Sequence, residues 1–169
     1  MQKMIIEELG LSGLPQEKQE ELLVKIGEIV MKRIYLNTME RLEREVSGIS
    51  RPKDFRYCIE NSDGLWHVSV AHRGRQIEGF LISCSATALN MLGPGVARTQ
   101  QQAAALIHAE LDRHRGRSPL FLVPVACKEL VQQLYSWGAR NSEIHVAQVH
   151  GVAQAPAGVT MPTFLPESG

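Results

Sequence analysis

The N-terminal part of the chain has apolar positions at helical spacing. From residue 14 to residue 47 the sequence is rich in Glu and Lys, and apolar residues recur every three or four positions. This stripe consists of Leu22, Leu23, Ile26, Ile29, Val30 and Ile34, continued by Met39, Leu42 and Val46. Leu14-Pro15-Gln16-Glu17 is typical of a helix start, because proline is tolerated at the first helical position and acids suit the positive end of the helix dipole. We predict a helical N-terminal module over residues 1–47, with a break at Asn37-Thr38.

The period of the pattern changes after residue 47. Small, polar and proline residues over 48–53 predict a linker. Short apolar runs with β-branched and aromatic residues then predict strands at 55–59, 65–71 and 77–83. They are separated by Asn61-Ser62-Asp63-Gly64 and by His72-Arg73-Gly74-Arg75, both typical of hairpin turns. A fourth strand, at 91–97, is expected to be irregular because it contains Gly93-Pro94-Gly95.

Helices and strands alternate in the second half of the chain. Thr99-Gln100-Gln101-Gln102 fits a capping box, which predicts a helix that starts there and stops at Gly116. A buried strand at 120–125, a helix at 128–137 and a final strand at 143–149 follow. This order predicts an α+β domain over residues 54–151, with helices packed on a mixed, mainly antiparallel sheet. The proline-rich tail, 152–169, is predicted to be extended.

Composition limits the classes of partner and compartment. Eighteen Lys and Arg residues balance eighteen Asp and Glu residues, so we expect neither nucleic acid nor a membrane as a partner. Cys58, Cys84 and Cys127 lack the spacing of a zinc or redox site, and reduced thiols in a cytoplasmic protein are their simplest account. The N-terminus lacks a signal-peptide core, and no apolar run approaches the roughly 20 residues that span a bilayer. We predict a cytoplasmic location.

Candidate metal ligands and nucleophiles are few. His108, Asp112 and His114 lie on one predicted helix. His108 and Asp112 form an i, i+4 pair, but no third ligand follows at zinc-like spacing, so we expect a solvated face and no metal. Ser83-Cys84-Ser85 lacks the Gly-x-Ser-x-Gly pattern of a hydrolase nucleophile. These residues therefore predict neither metal chemistry nor a serine hydrolase.

The segment from residue 129 to residue 140 resembles the closing helix of GNAT acyltransferases. Its sequence is E-L-V-Q-Q-L-Y-S-W-G-A-R, in which the Leu134-Tyr135 pair precedes Gly138. The family has three residues between that pair and the glycine, then an aromatic residue; this chain has two residues there, and Ala139 replaces the aromatic. The flanking strands, Ile77-Glu78-Gly79-Phe80-Leu81 and the capped helix extend the similarity to residues 54–151. The resemblance implies a GNAT-like fold and acetyl-CoA as cosubstrate.

In that family the helix after the fourth strand binds the pyrophosphate of acetyl-CoA through backbone N–H groups, within a Q/R-x-x-G-x-G/A loop. A helix N-terminus suits an anion on physical grounds as well. The best register places Arg98 first, Gln101 at the central glycine and Ala103 last. The resemblance thus implies that Val96, Ala97, Arg98, Gln101 and Ala103 bind the cofactor. Gln101 departs from the pattern, since a side chain hinders the approach of a phosphate to the backbone.

Tyr135 matches the family position that protonates the departing CoA thiolate. Phenols have a pKa of about 10 and thiols of about 8.5, so this proton transfer is chemically reasonable. Packing in the core is the alternative role for Tyr135. The general base stays unassigned among Glu78, Glu129, Glu143 and His145.

Two functions follow from the resemblance and from its departures. The first is an N-acyltransferase that moves an acetyl group from acetyl-CoA to a small-molecule or peptide amine. The second is a non-catalytic, GNAT-derived binding or assembly module, including a homodimer through the N-terminal helix. The second is motivated by Gln101, by the apolar stripe, and by the lack of room for two helices between the first two predicted strands. Either the helices of residues 14–47 take the place of those two helices, or the domain is a shortened derivative.

Overall fold

Three helices and then three strands come first in the chain, and helices and strands alternate after them. The computed structural model describes residues 2–148, 150–152 and 155–163. The elements are α1 (Gln2–Glu8), α2 (Gln16–Ser47), α3 (Pro52–Glu60), β1 (Trp66–Arg73), β2 (Gln76–Ala86), β3 (Leu89–Ala97), α4 (Gln100–Arg113), β4 (Leu120–Phe121), α5 (Lys128–Ser136) and β5 (Val159–Met161). The predicted α+β class is confirmed.

The sheet is a meander with a divided outer edge. β1, β2 and β3 pair antiparallel in sequence order. The outer edge of β3 takes two short strands: β4 pairs parallel with its beginning at Met91 and Leu92, and β5 pairs antiparallel with its end. In the second pairing Val96 lies opposite Thr160. The sheet is therefore mixed and mainly antiparallel, as predicted.

Each face of the sheet carries its own apolar layer, because successive side chains of a strand point to opposite faces. Phe80 and Ile82 pack with α2 and α3, while Leu81 between them packs with α4 and α5. The layer on the α2 and α3 side consists of Met39, Leu42, Val46, Phe55, Cys58, Phe80, Ile82 and Val96. The layer on the α4 and α5 side includes Ala103, Leu106, Ile107, Leu130, Leu134, Val159 and Met161.

The prediction of a strand at residues 55–59 is wrong, since this segment lies in α3. Pro52 occupies the first turn and Asp54 follows it, which favours a helix start. Phe55 and Cys58, three residues apart, are its buried positions. The turn at 61–64 therefore joins a helix to a strand and is not a hairpin, and Asn61 ends α3 with a left-handed φ of 46°. The predicted linker at 48–53 overlaps the start of α3.

The helix α2 continues through the predicted break at Asn37-Thr38. The hydroxyl of Thr38 donates to the carbonyl of Ile34 at 2.8 Å, so this side chain bonds to the backbone of its own helix and does not interrupt it. Only the last part of α2, from Met39 onward, is buried against the sheet. Two helices, α2 and α3, thus precede β1 on one face; α3 lies outside residues 14–47, where the first alternative placed both front helices.

Two strand predictions in the second half are wrong or too long. Of residues 120–125 only Leu120 and Phe121 pair with the sheet, and Leu120 is exposed. Residues 143–148 lie in no strand, with Ile144 and Val146 exposed; Val149 lies outside the described residues. The tail supplies β5 instead. Apolar, β-branched composition favours a strand only where a sheet edge is free to receive it.

Candidate functional site

The predicted capping box at the start of α4 is present. The hydroxyl of Thr99 accepts from the backbone N–H of Gln102 at 3.2 Å, and the amide oxygen of Gln102 accepts from the N–H of Thr99 at 3.1 Å. The amide nitrogen of Gln102 also donates to Glu78 at 2.5 Å. Helix geometry leaves the N–H groups of Gln100 and Gln101 without an intrahelical acceptor. The helix therefore begins in one fixed place with backbone donors available.

A cavity of about 360 Å³ lies at this helix start. It is lined by Arg98, Thr99, Gln100, Gln101, Cys127, Gly158 and Val159. The carboxamide oxygen of Gln100 accepts from the N–H of Leu130 at 3.0 Å, which ties the start of α4 to the first turn of α5. The site thus combines a helix N-terminus, the beginning of a second helix and part of the C-terminal segment.

Some of the predicted cofactor residues line this cavity and others do not. Arg98 and Gln101 line it, and Gln101 is exposed. Val96 and Ala97 end β3 with their side chains buried, and Ala103 is buried in the apolar layer under α4. Buried side chains leave Val96 and Ala97 only their backbone groups for a ligand.

Arg98 is anchored on both its backbone and its side chain. Its N–H donates to the carbonyl of Glu78 at 3.0 Å, and its guanidinium pairs with Glu45 of α2. The pairing fixes the guanidinium toward α2, on the side of the sheet opposite α4. A ligand at the helix start would therefore meet the backbone of Arg98 more readily than its charge.

Tyr135 lies on α5, with 47% of its surface exposed, and its neighbour Leu134 is buried. The alternative role for Tyr135, packing in the core, is therefore wrong. Cys127 lines the cavity and precedes Tyr135 by eight residues, so the Cα atom of Tyr135 lies roughly 12 Å further along the axis of α5. The structure brings Arg98 and Gln101 to one cavity and leaves Tyr135 at some distance from it.

A polar cluster that the sequence did not predict lies at the other end of α4. The side chain of Glu110 is fully buried; one carboxylate oxygen lies 2.8 Å from His67 Nδ1, and the other accepts from the hydroxyl of Ser83 at 2.6 Å. A second cavity, of about 340 Å³, is lined in part by His67, Ser83, Arg113 and His114. Glu110 follows Ile107 by three residues and therefore lies on the buried face of α4. A carboxylate on the apolar face of a predicted helix is the sequence signal that could have indicated this cluster.

His114 belongs to this buried end, so the expected solvated face is wrong for this residue. It is only 3% exposed, and its Nδ1 lies 2.5 Å from the side-chain oxygen of Asn90. Burial lowers the pKa of His114 below its ordinary value of 6.5. His108, in contrast, is exposed and packs edge-on against Trp137.

Within the described ranges, no three His, Cys, Asp or Glu side chains are grouped so that they could hold a metal ion. None of the helices described is long and apolar enough to cross a membrane.

Comparison with known proteins identifies the family. Residues 39–158, which are most of the chain, match the family described as acetyltransferase (GNAT) domain. No match was found among curated proteins or among solved structures. The matched region contains the sheet meander, α4 and its capped start, and α5. The chain belongs to the GNAT acetyltransferase family.

Proposed function

We propose that this chain is an N-acyltransferase that moves an acetyl group from acetyl-CoA to a small-molecule or peptide amine. Domains of this family generally use acetyl-CoA. The observation that carries the proposal is the cavity of about 360 Å³ at the start of α4. Backbone donors and the positive end of a helix dipole meet there, which suits a pyrophosphate.

In this proposal, different residues bind the pyrophosphate and align the rest of the cosubstrate. The N–H groups of Gln100 and Gln101 bind the pyrophosphate, and the last residues of β3, Val96 and Ala97, align the extended arm of the cosubstrate through their backbone. Orientation of two reactants in this way lowers the entropic part of the barrier. Acetyl-CoA supplies an activated thioester.

The chemical step forms one bond and breaks one. The amine nitrogen attacks the thioester carbonyl, the new C–N bond replaces the C–S bond, and the nitrogen loses a proton while the thiolate gains one. The exposed phenol of Tyr135 is the proposed donor to the thiolate. Because Tyr135 stands along α5 from the cavity, this assignment requires the acyl end of the cosubstrate to extend toward that helix.

A calorimetric titration with acetyl-CoA tests the proposal. Saturable binding, weakened by Gln101→Glu, would support a site at the helix start. The titration should include Gly158→Ala, a change beside the Ala97 carbonyl. If neither the wild-type chain nor this variant binds acetyl-CoA at millimolar concentration, the proposed function is wrong.

A non-catalytic assembly module is the second candidate, favoured by the first part of α2. Ile29, Val30 and Ile34 are all at least 50% exposed there. Leu42, which packs on the sheet, follows Val30 by twelve residues, so at about 100° per residue it lies about 120° around the helix from Val30. The exposed stripe therefore faces away from the chain's own sheet, and a second copy of the chain is the partner that we propose for it.

The homodimer is tested by light scattering over a range of concentrations. Replacement of Ile29 and Val30 together by Ser should abolish a concentration-dependent increase in mass, whereas Glu28→Gln, on the other side of α2, should leave it unchanged. A wild-type chain that stays monomeric at about 100 times the concentration used for enzyme assays would overturn the dimer, because occupancy of a weak dimer grows with concentration.

A further inference from the structure

The C-terminal strap, residues 157–162, lies along the outer edge of β3 where the cosubstrate arm would run. We propose that this strap is an internal occupant of the acyl-CoA cleft, and that it must leave the β3 edge before acetyl-CoA can bind. The inference rests on the proposed function, since it concerns the regulation of that same site.

The strap is built into the sheet and into the apolar layer. Its strand β5 places Val159 opposite Ala97 and Thr160 opposite Val96. The side chains of Val159 and Met161 are almost fully buried on the α4 side. The N–H of Ala157 donates to the carbonyl of Val46 at 2.8 Å, so the strap is also held at the end of α2. These contacts hold the strap in one position against the edge of β3, which we call the seated position.

Two glycines make the seated position possible. A Cβ atom at Gly158 would lie well inside van der Waals contact with the carbonyl oxygen of Ala97. A Cβ atom at Gly93 would lie 2.6 Å from the carbonyl oxygen of Pro162. The backbone of the strap thus approaches the backbone of β3 more closely than any side chain would permit.

The strap and a bound acetyl-CoA need the same backbone groups. Gly158 and Val159 line the cavity at the start of α4 together with Arg98 and Gln101. A pyrophosphate at that helix start would direct the amide-containing arm of coenzyme A along the last residues of β3. One edge of β3 is already paired with β2, and β5 holds the other edge at Gly95, Val96 and Ala97. Only one extended chain can use this edge at a time.

The strap is short enough to be displaced. β5 has three residues, and a ladder of this length contributes few hydrogen bonds. Residues 143–148, earlier in the chain, are exposed and lie in no strand. The apolar space that Val159 and Met161 would vacate can be covered again by the arm of the cosubstrate. One extended chain can therefore replace another at this edge.

Gly158→Ala should release the strap without the loss of an apolar side chain. The φ of Gly158 lies outside the left-handed region, so alanine is strained there by contacts alone: first with the carbonyl oxygen of Ala97, then with Val46 Cγ1 at 3.2 Å and Arg98 Cα at 3.3 Å. We expect faster amide exchange at residues 159–161 and an acetyl-CoA dissociation constant lower by about tenfold, because a larger fraction of molecules is open. Gly13→Ala is the matched control, since a Cβ atom at Gly13 meets nothing within 4 Å.

A disulfide between β3 and the strap should hold the strap in the seated position. Val96→Cys with Thr160→Cys places two thiols at directly opposite positions, which lie within reach of a disulfide. Cys58→Ala and Cys127→Ser in the same chain remove the native thiol that shares the apolar layer of Val96 and the partly exposed native thiol. The oxidised chain should not bind acetyl-CoA, and reduction with dithiothreitol should restore binding in the same sample.

The outcomes separate this inference from the proposed function. If the wild-type, oxidised and Gly158→Ala chains bind acetyl-CoA equally well, the strap inference is wrong and the acyltransferase proposal stands. If no variant binds acetyl-CoA, the acyltransferase proposal fails, and the strap inference fails with it. Tight binding by the oxidised chain would overturn the strap inference on its own.

Discussion

At its first residue α4 borders a cavity of about 360 Å³, and at its last turn it borders another of about 340 Å³. The two ends differ in how their polar groups are satisfied. At the first end the capping box uses the N–H of Gln102 but leaves the donors of Gln100 and Gln101. At the second end the carboxylate of Glu110 is already bonded to His67 and Ser83.

This difference explains why cavity size alone does not identify a site. A group of polar side chains that bond to one another and are buried contributes to a unique fold. A helix start with free backbone donors can bind an anion instead. We therefore propose that the first end of α4 binds the ligand and that the second end stabilises the fold.

Removal of Glu110 should have the largest effect. Glu110→Ala leaves the buried hydroxyl of Ser83 and the ring of His67 without their acceptor and opens a cavity in the layer. We expect the free energy of unfolding to fall by about 3 kcal/mol, the size typical for loss of a buried polar partner. Urea denaturation measures it, and Glu110→Gln, which keeps the volume, should lose less than half as much.

The same variants also test the assignment of roles to the two ends. Glu110→Gln should bind acetyl-CoA with unchanged affinity, because the cosubstrate is proposed at the opposite end of α4. A stable Glu110→Gln protein that had lost acetyl transfer would show that the second cavity takes part in the chemistry.

A negative charge at the first end should weaken binding while it preserves the helix. Gln101→Glu puts an acid in the first turn of α4, which the helix dipole favours. The same charge repels a pyrophosphate, so we expect the affinity for acetyl-CoA to fall about tenfold, or about 1.4 kcal/mol. Titration calorimetry and thermal denaturation measure the two effects. Equal affinities for Gln101→Glu and the wild-type chain would place the phosphate elsewhere.

Loss of the capping box should have a smaller effect, which lowers stability but not the affinity for acetyl-CoA. Thr99→Ala removes the acceptor for the N–H of Gln102, which should cost about 1 kcal/mol of stability. It also frees that N–H for a phosphate, so the affinity for acetyl-CoA should not decrease. Thr99→Ser keeps the acceptor and should resemble the wild-type chain in denaturation. A loss of affinity in Thr99→Ala that Thr99→Ser restores would mean that the hydroxyl itself contacts the ligand.

Local patterns predicted the parts of this fold that local chemistry determines. The capping box located the start of α4, and short apolar runs with β-branched and aromatic residues located β1 and β2. The strand predicted at 55–59 failed because a short apolar run fits a buried helix equally well. The strand β5 was missed because three residues of a proline-rich tail pair with β3 only through long-range contacts.

The candidate site was predictable to the same extent. Arg98 and Gln101 were found from the family's loop pattern, and both line the cavity at the start of α4. The strap that shares this cavity is about sixty residues away in sequence, a separation that no local pattern reports. His67, Ser83 and Glu110 come from β1, β2 and α4, so only the packed fold brings them together.

The smallest expected effect is a dependence of stability on pH that originates at the second end of α4. Burial holds the pKa of His114 in the folded chain below 6.5, whereas the unfolded chain has the ordinary value. As the pH falls through 6.5, the unfolded chain takes up a proton first, so stability decreases until the pH reaches the lowered folded pKa. Denaturation midpoints between about pH 7.5 and pH 5 should show a shallower decline in His114→Asn than in the wild-type chain. Equal declines in the two proteins would show that His114 does not contribute to this pH dependence, whereas Gln101→Glu, at the other end of α4, should retain the wild-type decline near pH 6.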